Sequence, residues 1–268
     1  DDGSDIYTSN GNIDLICNDY DGKPTYIPTD EVEGYVKKYI ISGTFAEVQY
    51  RINETEDKGI LNLENKKYTA INSDSTINVN KNIIINGNGA TLDADNRFRI
   101  MDIGDGVSVT LNNINFINGK ITGTGTDVYG GAIYNNNGDV TVINSTFNNN
   151  TASGDTAFGG AICNSDGSVT VTNSTFTNNT AHGDKYGDGG AIYGASVTVN
   201  NSIFNNNTAH GDEGGYGGAI HGVSVTVNNS IFNNNTATGG YSKAGAIYSV
   251  SVTVTNSTFT NNTAHGDE

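Results

Sequence analysis

Four loops of this chain share the endings SGD, HGD, HGD and HGDE, a histidine–aspartate pattern that could hold a divalent cation. They place Asp155, Asp184, Asp212 and Asp267 near His182, His210 and His265. Carboxylates with backbone carbonyls suit Ca²⁺, and stacked copies of such a loop would bring these side chains together. The competing reading is a solvated turn in which Asp and Gly only supply geometry. The copy containing Tyr241 and Lys243 lacks the motif, which would interrupt a ladder of ligands. The turn is the favoured reading and no cofactor is expected; on the metal reading the candidates are Asp155, Asp184, Asp212, His182 and His210, and Ca²⁺ is the ion they would take.

Catalytic chemistry has less to work with. A lyase acting on acidic sugars needs a base and cations beside the carboxylate, and a glycosidase needs two facing carboxyl groups. The only arginines are Arg51, Arg97 and Arg99, and beyond Lys120 the only lysines are Lys185 and Lys243. The expectation is a protein that is not an enzyme. The 268 residues carry a net charge of −16, which disfavours nucleic acid and anionic membranes. No apolar run reaches the roughly 20 residues that span a bilayer, so membrane insertion is not expected of this segment. The opening DDGSD reads as a processed or engineered start and does not argue for the cytoplasm. Cys17 and Cys163 could form one bridge only if the N-terminal segment folds back along the body; two free thiols are the simpler reading.

These residues are positioned by an internal repeat. The GAI alanines fall at Ala132, Ala161, Ala191, Ala219 and Ala246, a step of about 28 residues. Val140–Thr141–Val142 recurs at 169–171, 197–199, 225–227 and 252–254, and phenylalanines follow at Phe147, Phe176, Phe204, Phe232 and Phe259. Alternation of valine and threonine has period two, so these are strands with valine inward and threonine outward. β-branched residues, asparagine and recurrent glycine exclude a helix. Each unit reads as three short strands (GAIY, VTV and the phenylalanine segment) followed by an outer, glycine- and aspartate-rich loop of about ten residues. Identical columns predict coils stacked in register, each strand pairing in parallel with its copy. The fold class expected is all-β, a right-handed single-stranded parallel β-helix of the pectin-lyase-like kind, with about seven coils and a helical cap. At about 4.8 Å per coil it would form a rod about 35 Å long.

Upstream, residues 99–119, 75–94 and 59–71 read as less regular coils. TFAEVQYRINE (44–54) reads as an amphipathic helix over 44–56: Thr44 and Glu47 have capping-box spacing, and Phe45, Val48 and Ile52 share one face. The chain thus divides into a non-repeat segment 1–43, a cap 44–58 and a β-helix 59–268, regular from 130. YVKKYII (35–41) could be a strand or a helix start. No cap is evident after the last coil, so the array would continue or its end would meet another molecule.

Two surface features remain. The column Asn144, Asn173, Asn201, Asn229 and Asn256 is expected to turn inward as an amide ladder. Eleven N-x-S/T sequons occur, and those at Asn144, Asn173 and Asn256 fall in that ladder, where a glycan would not fit. This leaves Asn53, Asn149, Asn178, Asn200, Asn206, Asn228, Asn234 and Asn261 as glycosylation candidates in an exported glycoprotein. The outward column Tyr134, Cys163, Tyr193, His221 and Tyr248 is mostly aromatic. Tyr134, Tyr193, His221 and Tyr248 are binding candidates for carbohydrate or protein, unless they are only good cross-strand partners.

GGAI combined with FxxN (Phe147 to Asn150, Phe176 to Asn179, Phe204 to Asn207, Phe232 to Asn235, Phe259 to Asn262) resembles the repeats of chlamydial polymorphic outer-membrane proteins. From about residue 44, the TFxxxQxxI cap, INGNGATLDA and the Asn/Thr-rich coils are also similar to adhesin-like surface proteins of methanogenic archaea. The resemblance implies an extracellular cell-surface protein that is non-catalytic and presents a β-helix for attachment to other cells or to cell-wall or host glycans. The alternative is a self-assembling subunit of an extracellular filament or sheath, partnered by copies of itself.

Overall fold

The computed structural model describes residues 26–32 and 35–266, with side chains from residue 41 onward. Cys17 and Asp267 lie outside the described residues, as does any pairing of Cys17 with Cys163. The fold is all-β, with about seven turns of parallel solenoid and, among the described residues, one short helix. Before the helix, Tyr26–Val32 and Tyr35–Ile41 form an antiparallel pair, so YVKKYII is a strand.

The repeat dictates the stacking. Val140, Val169, Val197, Val225 and Val252 pair in one parallel register, and the columns of Thr141 and Val142 run beside them. The valines of the 140 and 142 columns are 0–1% exposed up to Val227. Phe116, Phe147, Phe176, Phe204, Phe232 and Phe259 stack inside with ring centroids 4.6–4.8 Å apart, one ring per coil. No coil buries its own apolar face; its neighbours do so.

The coil has three sides, but not the three expected. In later coils GAIY and VTV are one continuous strand (Ile192–Asn200, Ile220–Asn228, Ile247–Thr255). The short phenylalanine strand follows, as in Ile203–Asn205. The third side lies in the segment read as a loop. Thr151, Thr180, Thr208, Thr236 and Thr263 start strands that pair in parallel as a separate sheet. Alanine is what allows this: Ala152, Ala181, Ala209 and Ala237 are fully buried, and larger side chains would push that sheet off the core.

Asparagine makes the two corners around phenylalanine. Asn144, Asn173, Asn201, Asn229 and Asn256 have φ of 48–51°, and Asn149, Asn178, Asn206, Asn234 and Asn261 have φ of 52–57°. This left-handed conformation is costly for most L-residues and mildest for asparagine. The bend also reverses which way side chains point, which overturns the expected ladder. Asn144, Asn173, Asn201, Asn229 and Asn256 are exposed, and the next residue turns inward instead. The buried ladder is Asn150, Asn179, Asn207 and Asn235, continued by Asn262. Each amide Nδ2 donates to the next Oδ1 at 2.8–2.9 Å. Each also donates to a phenylalanine carbonyl, from Phe116 to Phe232, at 2.8–3.2 Å. A parallel serine ladder runs through Ser145, Ser174, Ser202 and Ser230.

The cap helix spans Phe45–Glu54 and buries Phe45, Val48 and Ile52 as expected. Its N-terminus is satisfied differently. Thr44 Oγ1 donates to the Ile41 carbonyl, and Glu47 accepts from the Gly43 N–H at 2.6 Å. Asp74, from the first coil, takes the capping role, accepting the N–H groups of Phe45 and Ala46 at 3.3 and 3.2 Å. Glu47 is wholly buried between Arg51 (2.7 Å) and Lys66 (3.1 Å). Burial works to raise its pKa, but the Gly43 N–H, Lys66 and Arg51 outweigh this and hold the carboxyl below its ordinary value. A lowered pKa means the stabilisation is fully present above the ordinary value of 4.5 and is lost as pH falls through the folded value. Glu47→Gln is expected to cost about 1–3 kcal/mol at pH 7. The deficit relative to the unsubstituted chain should shrink in urea titrations repeated below pH 4.5.

Candidate functional site

Four of the regular coils have a glycine pair that folds the chain back on itself, and the last has Ala244–Gly245 in its place. Gly130, Gly159, Gly189 and Gly217 have φ of 56–68°. A Cβ on the following Gly190 would lie 2.1 Å from the Gly218 carbonyl oxygen and 2.6 Å from Thr208 backbone atoms. Only a residue without a side chain passes there. The result is an elbow between the third sheet and the next long strand, and outward side chains on its two sides converge.

One side is the expected column. Tyr134, Cys163, Tyr193, His221 and Tyr248 are in parallel register. The other comprises the residues just before the elbow: Tyr129, Phe158, Asp188 and Tyr216 in register, with Lys243 bridged to Tyr216. The columns interlock across the elbow. Tyr129 meets Tyr134 (5.3 Å between centroids), Phe158 meets Tyr193 (4.9 Å) and Tyr216 meets Tyr248 (5.3 Å). His221 lies between Tyr193 and Tyr248, at 5.2 and 4.9 Å. Together they line a half-buried aromatic cleft along the solenoid.

Polar groups punctuate the cleft. Asp188 Oδ1 and His221 Nδ1 are 3.1 Å apart, with the carboxylate side chain 10% exposed. At one end Arg99 lies over the Tyr134 ring at 5.1 Å and pairs with Asp102 at 2.9 Å. It also donates to the carbonyls of Tyr129 and Gly130, bracing the first elbow. Burial pulls the Arg99 pKa down and the Asp102 charge works against that. Lys243 approaches the Tyr248 ring at the other end.

Cys163 keeps its place in the outward column, in register with Tyr134 and Tyr193, yet it is 0% exposed. Burial pushes its thiol up to about 12, so it stays protonated and is a poor nucleophile at neutral pH. Iodoacetamide applied to the folded chain should leave Cys163 unmodified in peptide mass mapping and label it after unfolding in urea. Rapid labelling of the native protein would contradict this burial.

The metal candidates are not gathered. His182 and His210 stack ring on ring at 4.7 Å, and His210 Nδ1 pairs with Thr238 Oγ1 at 2.9 Å. Asp155 is taken by Lys185 at 2.9 Å, Asp184 is exposed, and Asp212 approaches only His210, at 3.9 Å. Among the described residues no group of three or more His, Cys, Asp or Glu is arranged to hold a metal ion. The sequon asparagines Asn53, Asn149, Asn178, Asn206, Asn234 and Asn261 are exposed, whereas Asn200 and Asn228 are half-buried and bonded to each other at 3.0 Å. Asn144, Asn173 and Asn256 are also exposed, so the ground for setting those sequons aside falls. An open depression of about 330 Å³ on the outward threonine face, lined by Lys58, Ser108, Asp139 and Thr141, lies among different residues from the cleft.

Sequence reasoning found one wall of the cleft and missed the other. Its positions carry Tyr, Phe, Asp, Tyr and Lys, so no single residue type marks the column; the signal was the place immediately before each elbow. No helix among the described residues is long and apolar enough to cross a membrane.

Comparison with known proteins bears on the coils that build this cleft. Residues 144–165, 173–195 and 201–223 each match the Chlamydia polymorphic membrane protein repeat. Each match begins at or beside a left-handed asparagine corner and runs through the phenylalanine strand, the buried asparagine and the elbow into the next long strand. No curated protein and no solved structure matches the chain. The solenoid thus has three tandem segments that match the Chlamydia polymorphic membrane protein repeat, and Phe158, Cys163, Asp188, Tyr193, Tyr216 and His221 of the cleft lie inside them.

Proposed function

We propose that this chain is part of an extracellular, cell-surface, adhesin-like protein: a non-catalytic solenoid that presents a side-chain surface to other cells or glycans. The observation that carries the reading is the aromatic cleft, where two outward columns, partly within the matched repeats, converge into a half-buried strip. Aromatic bodies with polar tips suit an attachment surface. The reading also draws on the likeness of the cap and of INGNGATLDA to adhesin-like surface proteins of methanogenic archaea. Fluorescently labelled chain should bind intact cells or cell-wall fragments saturably, and should release no reducing ends or unsaturated products from polysaccharides. Turnover of any such polymer, or unsaturable adsorption alone, would overturn it.

A second reading is a filament or sheath subunit. Val252, Val254 and Phe259 of the last coil are 53%, 45% and 42% exposed, whereas the same columns one coil earlier are 0–1% exposed. A further layer, from this chain or from a second copy, would cover them. Concentration-dependent sedimentation into long polymers favours the subunit; a constant sedimentation coefficient favours display.

A further inference from the structure

We propose that the aromatic cleft binds a neutral polysaccharide chain lying along the solenoid axis, with the Asp188–His221 pair as its central polar clamp. This rests on the display reading and names its site and ligand class.

The first ground is ring orientation. Inside the solenoid the phenylalanines stack at 1–11°, which covers both faces of each interior ring. Across the cleft, apart from the stacked Tyr129–Phe158 pair, neighbouring rings of the two walls meet at 32–83°. Tyr193 stands at 66° to Phe158 and 83° to His221. A tilted pair covers less of each ring than a stack does, and uncovered ring surface suits the apolar C–H face of a pyranose.

The second ground is unspent hydrogen-bonding capacity. The hydroxyls of Tyr129, Tyr193, Tyr216 and Tyr248 bond to no other described residue, although the ring bodies are half-buried. Asp188, nine-tenths buried, has one oxygen on His221. Apolar bodies with a few fixed polar groups are what sugar hydroxyls require.

Charge selects among glycans. Arg99 is committed to Asp102 and to the elbow carbonyls, which leaves Lys243 at one end as the cleft's cation without an ion-pair partner among the described residues, while Asp188 lies at the centre. With a net charge of −16, the chain repels uronate or sulfated polymers and accepts uncharged ones. The columns advance one position per coil without a break from Tyr129 to Tyr216, so the site is linear and suits a polymer rather than a single sugar.

The test is affinity electrophoresis in gels containing galactomannan, xyloglucan, mixed-linkage β-glucan or glycol chitin, with polygalacturonate as the anionic control. At least one neutral polymer should retard the chain. Tyr193→Ala and Tyr216→Ala should each weaken that retardation about tenfold or more, and Asp188→Asn several-fold, while Tyr241→Ala, on an exposed loop, should not change it. Tyr193→Phe, which keeps the ring and removes only the hydroxyl, should weaken binding less than Tyr193→Ala, and unchanged melting curves guard against a fold defect. No retardation by a neutral polymer, retardation by polygalacturonate alone, or full binding by Tyr193→Ala would overturn the proposal. Cell binding that survives Tyr193→Ala, or that protease treatment of the cells abolishes, would also overturn it while leaving the display reading intact. Polymer binding without cell binding would instead remove the display reading.

Discussion

Leucine in place of Asn207 is expected to lower stability by about 4 kcal/mol or more, among the largest effects of any single substitution in this chain. The Asn207 side chain makes four bonds. It donates to Asn235 Oδ1 and the Phe176 carbonyl, at 2.9 and 3.0 Å, and accepts from the backbone and side-chain N–H of Asn179, at 3.1 and 2.9 Å. Leucine satisfies none of them. It strands two donors of Asn179 and the Phe176 carbonyl in a fully buried layer, each costing roughly 1–3 kcal/mol. A solenoid need not unfold in one step, so hydrogen exchange of the amides around residues 176–208 is the direct readout, supported by the urea midpoint. Asn201→Gly is the matched comparison. Asn201 is exposed with φ of 49°, where glycine is at ease, so that change should cost less than about 1 kcal/mol. Equal effects of the two substitutions would mean that the ladder is misassigned.

Gly190→Ala is expected to abolish soluble expression or to lower the urea midpoint drastically. The added Cβ meets the Gly218 carbonyl oxygen at 2.1 Å and Thr208 backbone atoms at 2.6 Å. All are backbone atoms of the coil beside it, so no side-chain rotation relieves the contact. The preceding Gly189→Ala also sets a Cβ against backbone, 2.1 Å from the Ile192 carbonyl oxygen, and at positive φ, so it too should lower the urea midpoint. The last coil already places Ala244 at that point of the elbow, with φ of 58°. A surviving Gly190→Ala protein would have to open the elbow, and with it the contacts between Phe158 and Tyr193 and between Asp188 and His221.

The stacking was legible because valine–threonine alternation and the phenylalanine column each report a side-chain direction within a single strand. The asparagine ladder was misplaced because counting by twos fails across a left-handed residue. After Val142 the count puts Asn144 inside; its φ of 50° turns it outward and sends Ser145 inside. The FxxN spacing held the right answer, since Asn150 and its copies follow the second such bend. The third strand was hidden by its composition. Gly, Asp and His read as a turn, yet parallel pairing needs only that Thr151 and Ala152 meet their copies. One wall of the cleft could be read from its tyrosines, but convergence of the two walls depends on an elbow whose shape only the backbone reveals.

The uniform register of the coils has a genetic consequence. Because every column meets its own copy above and below, removing one unit or inserting another joins the same faces as before. Unequal exchange between near-identical coding segments would therefore alter the length of the rod in whole steps of about 4.8 Å. Each step would add or remove one position on each wall of the cleft and leave the remaining layers untouched. Reach and the number of contact positions are inherited together, as a single count of units.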